Sequence, residues 1–145
     1  MRLDEINNEW AKDAVIEADR LDDHSRDIPR LHAKYSRFLS EERMIMRNLE
    51  ADRDRLRLAK WERLTGMMSV DELKERGWEP ERKRVLKNDV DMYLAADDDM
   101  IQLNLRIGLQ QEKVKLLESI VHSINSRSFT IGNAVKYLLF KAGIS

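Results

Sequence analysis

The sequence predicts an all-α protein built from a few long helices. Helix breakers are rare, with Gly 5 and Pro 2 in 145 residues. Apolar residues recur at three-four spacing over two long stretches. Charged residues make up 37% of the chain against 42% hydrophobic, a balance typical of long, partly exposed helices and not of a disordered chain. The length suits one domain, residues 1–145, able to bury its own core.

A first helix is expected over roughly residues 3–22, with Leu3, Ile6, Trp10, Ala14, Ile16 and Leu21 on its inner face. "DIPRL" then reads as a helix start, with Asp27 or Ile28 at the cap and Pro29 in the first turn, where a missing N–H does no harm. From there no breaker occurs until Gly66. Leu31, Tyr35, Phe38, Glu42, Ile45, Leu49, Asp52, Leu56 and Ala59 follow heptad spacing, apolar at all but two positions, which predicts a long helix with a coiled-coil-like seam. Gly66 is placed to end it.

Residues around 66–88 predict a short irregular hinge. Within it Ser69 can cap a helix "VDELKER", with Glu72 at the capping-box position and Gly77 at its end. Residues 89–145 predict assembly helices. Met100, Leu103, Ile107, Gln110, Val114, Leu117, Val121 and Ile124 form one stripe, with Gln110 its polar exception. Leu105, Leu109, Leu116 and Ile120 form a second stripe beside it. Two stripes imply packing on two sides. A last helix carries Phe129, Ile131, Val135, Leu138 and Leu139 and ends at Gly143. The apolar surface exceeds what one small subunit readily buries, so a homo-oligomer is expected. Its interface candidates are Leu103, Ile107, Val114, Leu117, Val121, Ile124, Phe129, Val135 and Leu138.

Several chemistries find no support. The chain has Cys 0, which removes disulfides, thiolate metal sites and cysteine nucleophiles. No phosphate-binding glycine loop occurs, and His24, His32 and His122 lack partners at metal spacing. Asp97, Asp98 and Asp99 could attract a hard cation, but acids at the start of a helix also complement its dipole. The expectation is no catalytic residue, no metal, no cofactor and no enzymatic activity. No stretch approaches the ~18 apolar residues of a membrane span, and no signal peptide begins the chain, so a soluble, cytoplasmic protein without a membrane partner is expected.

The net charge of −1 conceals segregation. Residues 1–28 and 89–99 are acidic, while residues 43–63 and the "ERKRVLK" run are rich in arginine. Arg53, Arg57 and Lys60 stand at i, i+4 and i+7, a like-charged arrangement that costs a helix a few tenths of a kcal/mol per pair. The stripe is either a solvated face with local ion pairs or, with Trp61 beside it, a surface for single-stranded nucleic acid. Repeated around an oligomer it would form a track that follows a phosphate backbone without reading sequence.

From end to end the chain resembles the UvsY-type phage recombination mediators. The resemblance runs through "MRLDEI", "LEADRDRLRLAKWERLTG", "VLKNDVDMYLAADDDM", the "SRSFTI" motif with Ser126, Arg127, Phe129 and Ile131, and "FKAG". It is poorest at about residues 67–80. It implies a non-enzymatic protein that binds single-stranded DNA and forms a ring of roughly six or seven subunits. Its implied partners are a phage RecA-like recombinase and a phage single-strand-binding protein, met in the host cytoplasm during infection, the recombinase being loaded where the other protein covers the DNA. The family's basic motif, of Leu-Lys-Ala-Arg type, falls on Arg57-Leu58-Ala59-Lys60. Leu58 replaces its lysine, Lys60 keeps the sign of its arginine, and Arg57 can supply charge from about 100° around the helix. The resemblance thus points to Lys60 first and Arg57 second as DNA contacts, with Arg53 and Arg63 added from the charge pattern alone. Arg127 reads either as a ring-interface or DNA contact or as a cap on a neighbouring helix end through its fork of donors, the structural role being favoured.

Overall fold

The computed structural model describes residues 1–81 and 85–144; Arg82, Lys83 and Arg84 of the "ERKRVLK" run, and Ser145, lie outside the described residues. The described residues form helices and no strand: α1 (Leu3–Asp13), α2 (Leu21–Arg26), α3 (Ile28–Leu64), α4 (Val70–Arg76), α5 (Val90–Ala95), α6 (Asp98–Asn125) and α7 (Arg127–Lys141), with a 3₁₀ turn at Lys87–Asp89 before α5. The chain divides into two compact units, Met1–Met44 with Gln110–Ser145, and Ile45–Leu109. Helices α3 and α6 each contribute to both.

In the first unit α1, the early part of α3 and the later part of α6 meet around Ile6, Leu31, Tyr35, Leu39, Leu117, Ile120 and Ile124. Each such side chain, fully buried, stabilises by roughly 1.5–3 kcal/mol. Trp10 and Phe38 set their rings edge-on to Tyr35, at 5.3 and 5.6 Å. The Tyr35 hydroxyl donates to Asp13 at 2.8 Å, and the Lys34 ammonium donates to Asp13 at 2.6 Å and Glu9 at 2.9 Å. Burial raises the Asp13 carboxyl, but Lys34 and Tyr35 outweigh it and hold the group below its ordinary value. In the second unit Leu49, Leu103 and Ile107 pack with Met46 and Leu56, and Ala59, Met68 and Leu73 pack with Trp78.

The seams expected on α3 and α6 meet within each unit, and Glu42 of one pairs with Gln110 of the other, whereas Ile45 and Asp52 of the α3 seam are exposed. The Gln110 amide donates to the Glu42 carboxylate at 2.6 Å and to the Glu42 carbonyl at 2.9 Å. The Met1 ammonium donates to the other carboxylate oxygen at 3.1 Å. Glu42 is 2% exposed and Gln110 4%, a burial that only these hydrogen bonds make tolerable. Burial pushes the Glu42 carboxyl up, while Gln110 and the ammonium pull it further down, below its ordinary range.

The expected helix over residues 3–22 is two helices. Arg127, 5% exposed, donates to the carbonyls of Ala14 and Val15 at 3.3 and 3.2 Å, acceptors that a continuing helix would bond to its own N–H groups. The guanidinium ends α1 there, and the chain re-enters helix at Leu21. Asp27 precedes α3 and holds Arg30 through two bonds of 2.6 and 2.7 Å. In the hinge, Ser69 caps α4 by accepting from the Glu72 N–H at 3.2 Å. Gly77 ends α4 at φ +70, a left-handed conformation suited to glycine, and the Trp78 N–H returns to the Leu73 carbonyl at 2.9 Å. Gly66 and Gly143 take the same conformation after α3 and α7.

Replacing Gln110 by Leu leaves one Glu42 carboxylate oxygen without its donor and the Met1 ammonium on the other, and urea unfolding should show a loss of about 1–3 kcal/mol. The double change Glu42→Leu with Gln110→Leu should recover most of it. Because the folded values of Glu42 and Asp13 lie below their ordinary 4.5 and 3.8, their stabilisation is complete above that range and is lost as pH falls through the depressed values. Melting temperature should therefore fall on acidification below that range, and less steeply in the double variant.

Candidate nucleic-acid interface

The basic stretch lies in the second unit, on the last turns of α3. Its four expected contacts have different fates. Lys60 is 5% exposed. Its ammonium donates to Asp99 at 2.7 Å, stands 3.1 Å from Asp97, and sits 4.3 Å from the centre of the Trp78 ring. Its charge is therefore met inside the unit by two carboxylates and an aromatic face. Arg57 is about half exposed and reaches Asp91 at 2.8 Å. Arg53 lies 3.8 Å from Asp54. Arg63 turns to the Glu79 carbonyl at 2.8 Å.

The acids of residues 89–99 thus lie against the basic stretch of the same chain. Asp97 has a second task, because its other carboxylate oxygen accepts from the Met100 N–H at 3.0 Å and so caps α6. Among the described residues no group of three acidic or histidine side chains is disposed to hold a metal ion. A cleft of about 280 Å³ beside Lys60 and Arg63 is also lined by Glu81, Asp97 and Asp98; its mixed charge does not favour an anion.

Another face of α3 is open. Asp54, Arg57, Leu58 and Trp61 line a groove of about 270 Å³. Leu58 is 57% exposed. Arg47, one heptad before Asp54 on the same side of the helix, is exposed and makes no ion pair among the described residues. Sequence reasoning passed over Arg47 because it stands outside the i, i+4, i+7 cluster. Its three- and four-residue neighbours are Arg43, Met44, Glu50 and Ala51, so the pattern offers it Glu50 as an ion-pair partner, and the sequence carries no signal that it stands unpaired.

The expected interface residues also divide. Leu103 and Ile107 are buried against α3 in the second unit. Leu117 and Ile124 are buried in the first unit, with Val114 and Val121 packed on them. These six lie within the chain's own units because α3 and α1 supply the partners that a second subunit was expected to supply. Phe129, Val135 and Leu138 on α7 are exposed, as are Tyr137 and Phe140.

The family model described as "Recombination, repair and ssDNA binding protein UvsY" matches residues 9–144. Three crystal structures of the bacteriophage T4 recombination mediator protein UvsY share the fold. One has a TM-score of 0.84 at 21% identity, covering 98% of both chains. A second has 0.82 at 20% identity, covering 94% of this chain and 98% of that one. The third has 0.81 at 20% identity, covering 97% and 99%. No curated protein sequence matches this one.

The two ion-pair environments predict a contrast in stability. Lys60→Met should lower unfolding free energy by roughly 1–3 kcal/mol, since it leaves Asp97 without its buried partner. Arg57→Met breaks an exposed pair and should cost no more than about 1 kcal/mol. Chemical denaturation of the two variants under one buffer measures the difference.

Proposed function

Since the chain belongs to the UvsY family of recombination, repair and ssDNA-binding proteins, we propose that it is a recombination mediator that holds single-stranded DNA on the open side of α3. In this role it promotes loading of a RecA-like recombinase onto DNA covered by a single-strand-binding protein, without catalysing a reaction itself. The observation that carries the reading is the exposure of Arg57 in the Trp61 groove and of Arg47 one heptad before Asp54 on the same helix face. Cations of this kind release counterions from phosphates and bind any sequence. Arg53, half-buried, lies at the edge of this surface. Lys60 and Arg63 take part less directly: Lys60 holds Asp97 and Asp99 in place, and Arg63 holds the segment at Glu79.

Mediation follows from geometry and competition. A strand lying along one such helix per subunit is fixed in path and partly stripped of the competing protein, which exposes backbone on which a recombinase filament can nucleate. A single stripe binds weakly, and a homo-oligomer of about six or seven copies multiplies it through effective concentration. The exposed Phe129, Val135, Leu138, Tyr137 and Phe140 of α7 support assembly through that helix, since apolar area of this kind is rarely left to water.

A helical scaffold that binds no DNA is the competing reading, favoured by the pairing of Arg57 with Asp91 and of Lys60 with Asp97 and Asp99. Fluorescence anisotropy with a labelled single strand separates the two. The mediator reading expects binding that weakens steeply with salt, and the scaffold expects none. Arg47→Ala with Arg57→Ala should reduce affinity for all sequences alike and flatten the salt slope by about 0.7 per phosphate contact removed, with light scattering unchanged. Substituting Phe129 and Phe140 by Ser should instead reduce the assembly's mass.

A further inference from the structure

We infer that Trp61 is a stacking platform for an unpaired base, with Leu58 and Arg57 forming the sides of the slot. The inference rests on the single-strand-binding reading above and adds how the strand is oriented on the helix. Trp61 belongs to none of the unit's apolar clusters, whereas Trp78 packs on Ala59, Met68 and Leu73. Its ring lines the open groove with Asp54, Arg57 and Leu58, and its own unit covers it only in part. An indole left beside solvent offers a flat apolar face that every base can use, which gives affinity without sequence preference.

Charge in the groove decides which part of the strand enters. Asp54 lines it and is an acceptor only, so a phosphate is repelled from the groove. Arg57, which reaches Asp91 in an exposed pair at 2.8 Å, and Arg47, one heptad before Asp54, are cations beside which phosphates can lie. The base therefore points in and the backbone runs outside. Leu58, 57% exposed, fits this arrangement, because it adds an apolar wall to the groove.

The test uses the full chain with a thymidine oligonucleotide and an abasic strand of equal phosphate number. Trp61→Leu keeps an apolar side chain but no ring, while Trp61→Phe keeps a ring. Wild type should bind the thymidine strand more tightly than the abasic one. Trp61→Leu should lose about fivefold or more on the thymidine strand, lose nothing on the abasic strand, and keep the same salt slope. Trp61→Phe should retain most of the affinity. Equal binding by the Leu and Phe variants, with thermal melts like wild type, would overturn the inference and assign Trp61 to packing. Loss on both strands alike would do the same, by making Trp61 part of the helix's structure or assembly. If wild type binds the two strands equally and salt-dependently, stacking fails while the single-strand reading stands; if it binds neither, both fall.

Discussion

The hydrogen bonds between Gln110 and Glu42 fix how α3 and α6 lie against each other in the first unit. Apolar seams alone leave a helix pair free to slip by a heptad, because Leu on Leu is nearly as good one turn away. A buried carboxylate is not so tolerant: shifted by a heptad, it would face Leu103 or Leu117 with no donor from α6, at a cost of about 1–3 kcal/mol. The polar pair therefore selects one register among many apolar ones, the use of buried polar groups best attested in coiled coils. With Glu42 opposite Gln110, Leu31 and Tyr35 come against Leu117, Ile120 and Ile124. Tyr35 in turn brings its hydroxyl to Asp13 and so seats α1.

The same economy of charge runs through the second unit. Its helix end concentrates cations, and the α5–α6 junction returns three aspartates to them, Asp91, Asp97 and Asp99. Burial ranks these contacts. Lys60 is enclosed, so its pairs act in a medium where charges attract strongly and where desolvation makes an unpaired charge costly. Arg57 meets Asp91 in water, where the pair contributes little and exchanges readily with other anions. One basic stripe is thus divided into an internal anchor and an external surface. The division follows the helix: Lys60 lies beside Ala59 toward Trp78, while Arg57 lies between Asp54 and Trp61 on the open side.

Periodicity made most of the fold legible. Most of the seam of α3 and the first stripe of α6 are read directly off three-four spacing, and Glu42 and Gln110, a polar exception in each, are each other's partners; Ile45 and Asp52 of the α3 seam are instead exposed. Serine and glycine fixed α4 to the residue, since an N-cap hydroxyl and a left-handed C-terminus are local chemistry. The break after Asp13 was not legible, because its cause is Arg127, more than a hundred residues away in sequence, taking the carbonyls of Ala14 and Val15. The destination of Lys60 was hidden for the same reason. A wheel drawn on α3 alone places it in a cationic stripe, and only the return of Asp97 and Asp99 turns it inward.

The apolar stripes of α6 show the limit in its clearest form. A sequence states that a face must be covered and is silent on what covers it. Leu103, Ile107, Leu117 and Ile124 looked like interface because their partners on α3 lie far away in the chain, and a second subunit was as good a partner as a second segment. What distinguishes the two is supply. Once α1 and α3 are folded against α6, their own seams are satisfied and these four residues need nothing further. Phe129, Val135 and Leu138 have no such supply within the chain, and Ile131 alone of the apolar residues on α7 is buried. Residual apolar surface, counted after the chain has packed on itself, is therefore the better guide to assembly, and it turns the proposed interface from the buried stripe of α6 to α7 and to Leu105 and Leu109, the second-stripe residues of α6 that stay exposed.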